Sequence, residues 1–168
     1  GSYEVVWHSD NSYVEVPPAG SMLYAVIIPD NGGGDTFFNN QYLAYEELPD
    51  DLKHAIAGKS QIHDSTRNSA GGLRRGMPDV TDPTQSPGTL HAMVRTHPET
   101  GRNGLYLGRR RHAYIMGLPL AESEKLLDEI WAHASQPRFS WHHAWRLNDV
   151  LMWDNRCVMH RRNPFDPV

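Results

Sequence analysis

The chain has 168 residues, of which 39% are hydrophobic, a formal net charge of −4 and one cysteine, Cys157. This length can bury one core, so a single domain spanning 1–168 is expected, held without any internal disulfide. The acidic balance argues against a nucleic-acid surface, and the longest apolar stretch, near Met22 to Pro29, is far short of a membrane span.

Tyr3 to Tyr13, rich in Val, Trp and Tyr, reads as a strand. His8 and Asp10 are two apart in it, and residues at i and i+2 of a strand share a face, so an imidazole and a carboxylate project side by side. Two histidines and one carboxylate suit non-haem Fe(II), although a lone His-x-Asp also fits a surface or hydrogen-bonded pair. Pro17-Pro18-Ala19-Gly20 is a turn, and Ser21 to Ile28 reads as a strand buried on both faces. Gly32-Gly33-Gly34 makes a permissive loop before Thr36.

Asn40 caps a short predicted helix through Glu47, and Pro49-Asp50-Asp51 opens another that Gly58 stops. From about 59 to 88 the composition turns to Ser, Thr, Gly, Pro and Arg, a loop-rich insertion that reads as a lid or a disordered stretch. Leu90 to Arg95 and Gly104 to Gly108 read as strands joined by the turn Pro98-Glu99-Thr100-Gly101. In Ala121 to Ser135, Leu126, Leu127, Ile130, Trp131 and Ala134 form one helical stripe. Phe139 to Trp145 and Val150 to Met159 alternate as strands, and His160 follows the last of them. Short strands with helices as inserts indicate a mainly β sandwich or barrel.

Several blocks in this order carry a resemblance. Trp7-His8-Ser9-Asp10-Asn11-Ser12-Tyr13, Pro17-Pro18-Ala19-Gly20, Gly33-Gly34-Asp35-Thr36, Val94-Arg95-Thr96-His97-Pro98 and Trp153-Asp154-Asn155-Arg156 through His160 together resemble the taurine dioxygenase family of Fe(II)/2-oxoglutarate-dependent oxygenases. Asn155 to Arg161 is most similar to its 2,4-dichlorophenoxyacetate dioxygenase branch. The resemblance implies a double-stranded β-helix, or jelly roll, with Fe(II) held by His8, Asp10 and His160. It places Thr36 beside the distal carboxylate of 2-oxoglutarate and Trp153 near that cosubstrate. It also puts His97, Arg111 and His112 on the substrate side, where the Arg109-Arg110-Arg111 run would favour a small anionic substrate such as an aryloxyalkanoate. The implied reaction consumes O2 and 2-oxoglutarate and releases succinate and CO2.

The same resemblance implies an arginine about a strand beyond the distal histidine, forming a bidentate pair with 2-oxoglutarate. The sequence reaches Val168 eight residues after His160. Arg161 is expected on the opposite face and Arg162 to crowd the metal ligand. The expectation is therefore a core lacking the family's N-terminal segment and last strand. Two rival readings remain, a metal-binding or interaction module without turnover and a zinc hydrolase using the same ligands. A cytoplasmic location and a homo-oligomer joined at an open sheet edge complete the expectations.

Overall fold

Short antiparallel strands carry the fold of the computed structural model, which describes residues 5–30, 32–108 and 112–165. β1 (Val5–His8) stops at His8, and the chain then turns through Asp10 to Asn11, whose φ is 48°. β2 (Gly20–Tyr24) and β3 (Thr36–Asn40) flank the glycine loop. The Asn40 Oδ1 accepts from the N–H of Tyr42 at 3.0 Å and of Leu43 at 3.2 Å, capping α1 (Gln41–Glu46). α2 (Asp50–Ile56) follows Pro49, with Asp50 and Asp51 at the positive end of its dipole.

β4 (Ser60–Asp64), β5 (Gly88–Ala92), β6 (Val94–Thr96), β7 (Asn103–Leu105) and β8 (Tyr114–Ile115) build the middle of the chain. α3 (Leu120–Ala134) is the long amphipathic helix that the apolar stripe predicts. β9 (Ser140–His143), β10 (Val150–Asp154) and β11 (Val158–Arg162) complete the order, with a turn at 155–157 joining the last two.

The strands form a four-stranded sheet ordered β1-β11-β3-β9, a three-stranded sheet β5-β4-β8, and the ribbons β2–β10 and β6–β7, all antiparallel. Helix and sheet share one core. Ile56, Met93, Leu105, Ile115, Leu127 and Ile130 are almost wholly buried in it, and each such side chain contributes about 1.5–3 kcal/mol of transfer free energy. This core lies between α1, α3 and the middle strands, which leaves the β1-β11-β3 sheet to carry chemistry.

Three elements differ from the sequence reading. Asp10 stands outside β1, so strand alternation is not what aims it. Met22, Leu23, Tyr24, Val26 and Ile27 are exposed, not buried on both faces, because β2 pairs in a ribbon with β10 alone among the described strands. The stretch read as a loop from 59 begins with β4, the central strand of its sheet. The polar residues Gln61, His63 and Asp64 are the buried ones there, which hides the usual apolar alternation. Among the described residues no helix is long and apolar enough to cross a membrane.

Candidate metal centre

β1 and β11 pair antiparallel with His8 opposite His160. Facing residues of neighbouring strands come close on one side of the sheet, and the two imidazole centroids are 4.2 Å apart. The turn after β1 brings Asp10 against both rings. Its Oδ1 lies 3.5 Å from His8 Nε2 and 3.6 Å from His160 Nε2. Three potential ligand atoms, one from each residue, all fall within 4.8 Å of one another.

The surroundings prepare each donor. His8 Nδ1 is 2.8 Å from the Val6 carbonyl, and a carbonyl only accepts, so Nδ1 carries a proton and Nε2, turned toward Asp10, is the nitrogen a metal would take. Ser21 donates to Asp10 Oδ2 at 2.5 Å, which leaves Oδ1 for a cation. Burial would raise the Asp10 carboxyl, but hydrogen bonds from His8 and Ser21 and the charges of His160 and His8 outweigh it and hold it at about 2. Burial first, then the charge of His8, pushes His160 down to about 4, against the pull of Asp10. A carboxylate and a neutral imidazole are the forms that bind a metal. Two imidazoles and one monodentate carboxylate fit Fe(II) and leave room for further ligands.

The ring of Trp153 sits 4.8 Å from that of His160, and Phe38 lies 5.3 Å from Trp153. Both aromatic residues are buried, so they seat the ligand and keep bulk water from its side. Thr36 stands two residues before Phe38 on β3. In the β3–β11 register Phe38 faces His160 and Thr36 faces Arg162. One step along the pair therefore leads from the triad to a second group of side chains. A cleft of roughly 350 Å³ opens there, lined by Thr36, Trp145, Arg162 and Phe165 with apolar residues of the β2 segment. Trp145 Nε1 donates to Thr36 Oγ1 at 3.0 Å. Phe165 packs on the loop before Thr36, where a Cβ on Gly34 would meet its ring at 3.4 Å. Arg162 does not crowd His160 as its position suggests. It lies in this cleft, with its guanidinium 4.6 Å from the Phe165 ring.

Of the expected substrate-side residues, His97 stands apart from the triad. It is buried and belongs to a different cluster. Its Nδ1 accepts from the N–H of Glu99 at 3.2 Å and of Thr100 at 3.3 Å, and its Nε2 donates to Asp154 Oδ2 at 2.9 Å. Both ring nitrogens thus hold protein rather than ligand. His112 is half-buried, and its charge helps lower the Asp64 carboxyl. Arg111 lies outside the described residues. The sequence reading gives no site role to Ser21, Trp145 or Asn155 and sets Arg162 aside as crowding the metal ligand. The i+2 spacing of Arg162 from His160 is the one signal that could have flagged any of them.

Comparison with known proteins gives the chain a family. The chain matches the family described as taurine catabolism dioxygenase TauD, TfdA over residues 1–168. It is 36% identical to an alpha-ketoglutarate-dependent 2,4-dichlorophenoxyacetate dioxygenase of Burkholderia sp. strain RASC, covering 96% of this chain and 53% of that protein. It is 35% identical to an (S)-phenoxypropionate/alpha-ketoglutarate-dioxygenase of Sphingobium herbicidovorans, covering 95% and 57% respectively. A crystal structure of AAD-2 in complex with Mn(II) and N-oxalylglycine superposes with a TM-score of 0.81 at 35% identity, over 96% of this chain and 57% of that one. The chain thus spans about half the length of the relatives it matches, and its sheets have the expected jelly-roll arrangement.

Proposed function

The chain belongs to the taurine catabolism dioxygenase TauD, TfdA family, and from that premise we propose that it forms the iron- and cosubstrate-binding core of an Fe(II)/2-oxoglutarate-dependent dioxygenase. In this reading His8, Asp10 and His160 hold the iron. When bound, Fe(II) with 2-oxoglutarate supplies O2 activation coupled to decarboxylation to succinate and CO2. The remaining work belongs to the chain. The Val6 carbonyl fixes the tautomer of His8, and Ser21 leaves Asp10 one oxygen for the metal. Trp153 and Phe38 shield His160.

The observation that carries the reading is the register of β3 on β11. Positions i and i+2 of a strand are roughly 6–7 Å apart. A five-carbon dicarboxylate held at a metal beside His160 would therefore have Thr36 within reach of its far carboxylate. Indole N–H only donates, so Thr36 Oγ1 must accept from Trp145 and keeps its own proton for an acceptor in the cleft. Mn(II) and N-oxalylglycine, whose carboxylates are spaced as in 2-oxoglutarate, bind a relative of the same fold.

For the organic substrate we propose a small anion of the aryloxyalkanoate class, as in the names of the relatives acting on phenoxy acids. His112 is the substrate-side candidate among the described residues, and we assign His97 to holding a turn. Anaerobic addition of Fe(II) and 2-oxoglutarate tests the reading. A visible charge-transfer band, followed by succinate release on admitting O2, is expected. Iron binding without the band would make the chain a metal-binding module instead.

A further inference from the structure

Nothing in the local backbone explains how Asp10 comes to face both histidines. β1 has ended at His8, and the left-handed Asn11 turns the chain away from the ladder. The missing strand partner is supplied by one side chain. Asn155 Oδ1 accepts from the N–H of Asp10 at 2.7 Å, and its Nδ2 donates to the carbonyl of Asp10 at 2.9 Å. A carboxamide has the donor and acceptor of a peptide group, so this two-bond ring reproduces the exchange made by a hydrogen-bonded pair in an antiparallel ladder. The second Nδ2 proton goes to the Pro18 carbonyl at 3.1 Å, and the Asn155 N–H goes to the Ala19 carbonyl at 2.9 Å. Asn155 is 1% exposed, and its amide has one orientation that satisfies all these partners.

We propose that Asn155 is the positioning residue that sets the metal-binding geometry of Asp10, a role resting on the iron reading above. Its place in the chain gives the contact its reach. Asn155 opens the turn between β10, which brings Trp153 onto His160, and β11, which carries His160 itself. Ser9 Oγ adds a second tie, to the Val158 carbonyl at 3.3 Å. By holding Pro18 and Ala19 the same residue places the start of β2, where Ser21 caps the other Asp10 oxygen. The turn itself is fastened from outside. Asp154 accepts from the Arg156 backbone N–H at 2.8 Å and from its guanidinium at 2.7 Å, and His97 donates to it at 2.9 Å. One buried amide thus links the hairpin of the distal histidine to the loop of the carboxylate.

The isosteric change Asn155→Asp is the discriminating one. It keeps an acceptor for the Asp10 N–H but turns an oxygen toward two carbonyls, so the loop must move. Partners that orient metal ligands typically tune affinity by about 10- to 100-fold. Co(II) titrated anaerobically into the full chain, read by calorimetry and by the visible absorption of the bound ion, measures this directly. Asn155→Asp should bind Co(II) about 10- to 100-fold more weakly and with an altered absorption band. Asn155→Ser, shorter and with a single proton, should fall between the two and serves if the aspartate variant does not fold. Leu127→Ala, which opens a cavity in the helix-side core, controls for lost stability and should keep the wild-type affinity and band. Wild-type binding and spectrum in the Asn155 variants would overturn the proposal, as would an equal loss in Leu127→Ala. A wild-type chain that binds no Co(II) would instead remove the iron reading and this role with it.

Discussion

His8 and His160 form a register pair across β1 and β11, and both turn Nε2 toward the same oxygen of Asp10. A cation bound between them ties together the two strands and the turn that follows the first. Binding to the native state alone stabilises it by about 2.7 kcal/mol at a ligand concentration of roughly 100 times Kd. For a chain of this size that corresponds to a rise in Tm of about 5–10 °C. Fe(II) or Co(II) under anaerobic conditions should produce this shift in wild type and almost none in His160→Ala. A full shift in the variant would place the metal elsewhere.

Thr36 should matter to the cosubstrate and not to the metal. Thr36→Val keeps the shape of the side chain but removes the hydroxyl that accepts from Trp145 and faces the cleft. A hydrogen bond to a charged group contributes about 1.5–3 kcal/mol, so 2-oxoglutarate should bind at least about tenfold more weakly. The indole left without an acceptor adds about 1 kcal/mol of lost stability. Anaerobic titration of the charge-transfer band gives the cosubstrate affinity, and calorimetry gives that of the metal. Unchanged 2-oxoglutarate affinity would remove Thr36 from the site.

How much of this was legible beforehand depends on which force fixed each part. The stripe of Leu127, Ile130 and Ala134 announces α3 because burial alone decides it. His8 and Asp10 are recognisable as a pair, but the strand reading gives the wrong reason for their closeness. Asp10 is aimed by Asn155, 145 residues away, and no local period encodes such a contact. β4 is hidden because Gln61 is buried through a hydrogen bond from its amide Nε2 to the Tyr106 carbonyl and His63 through ring stacking, not through apolar alternation. β2 misleads in the opposite direction, since a continuous apolar run need not find a cover.

The acid limit of stability should depend on Asp64. Burial would raise its carboxyl, but Ser86, the backbone and side chain of Thr66, and the charge of His112 pull it below its ordinary value. The Ser86 hydroxyl donates at 2.5 Å and the Thr66 N–H at 3.0 Å. A carboxyl depressed in the folded state contributes stability that is complete above its unfolded value, near 3.9, and is lost as pH falls through the folded one. Asp64→Asn should therefore cost about 1–3 kcal/mol at neutral pH. The gap to wild type should close as pH drops below about 4. Urea denaturation from pH 7 to pH 3 measures it, and a gap that widened on acidification would reverse the assigned sign.

Gly88 is where β5 comes closest to β4, facing Asp64 in the register. A Cβ built on it would lie 1.9 Å from the His63 carbonyl oxygen, 2.8 Å from the carbonyl carbon and 3.2 Å from the Asp64 Cα. All three atoms are backbone, so no side chain can rotate aside and the strands themselves must part. Parting them also loosens the bonds of Ser65 to the Pro87 carbonyl, at 2.8 Å from its N–H and 2.9 Å from its hydroxyl, and of Ser86 to Asp64. Gly58 is the informative contrast, because it has a φ of +68° but open space around it. Gly58→Ala should cost about 1 kcal/mol from backbone conformation alone. Gly88→Ala should exceed about 3 kcal/mol, the range reached when a buried network and its packing fail together. Urea midpoints of the two variants decide the matter. If Gly88→Ala proved no worse than Gly58→Ala, the close approach of β5 to β4, and with it the seat of Asp64, would have to be redrawn.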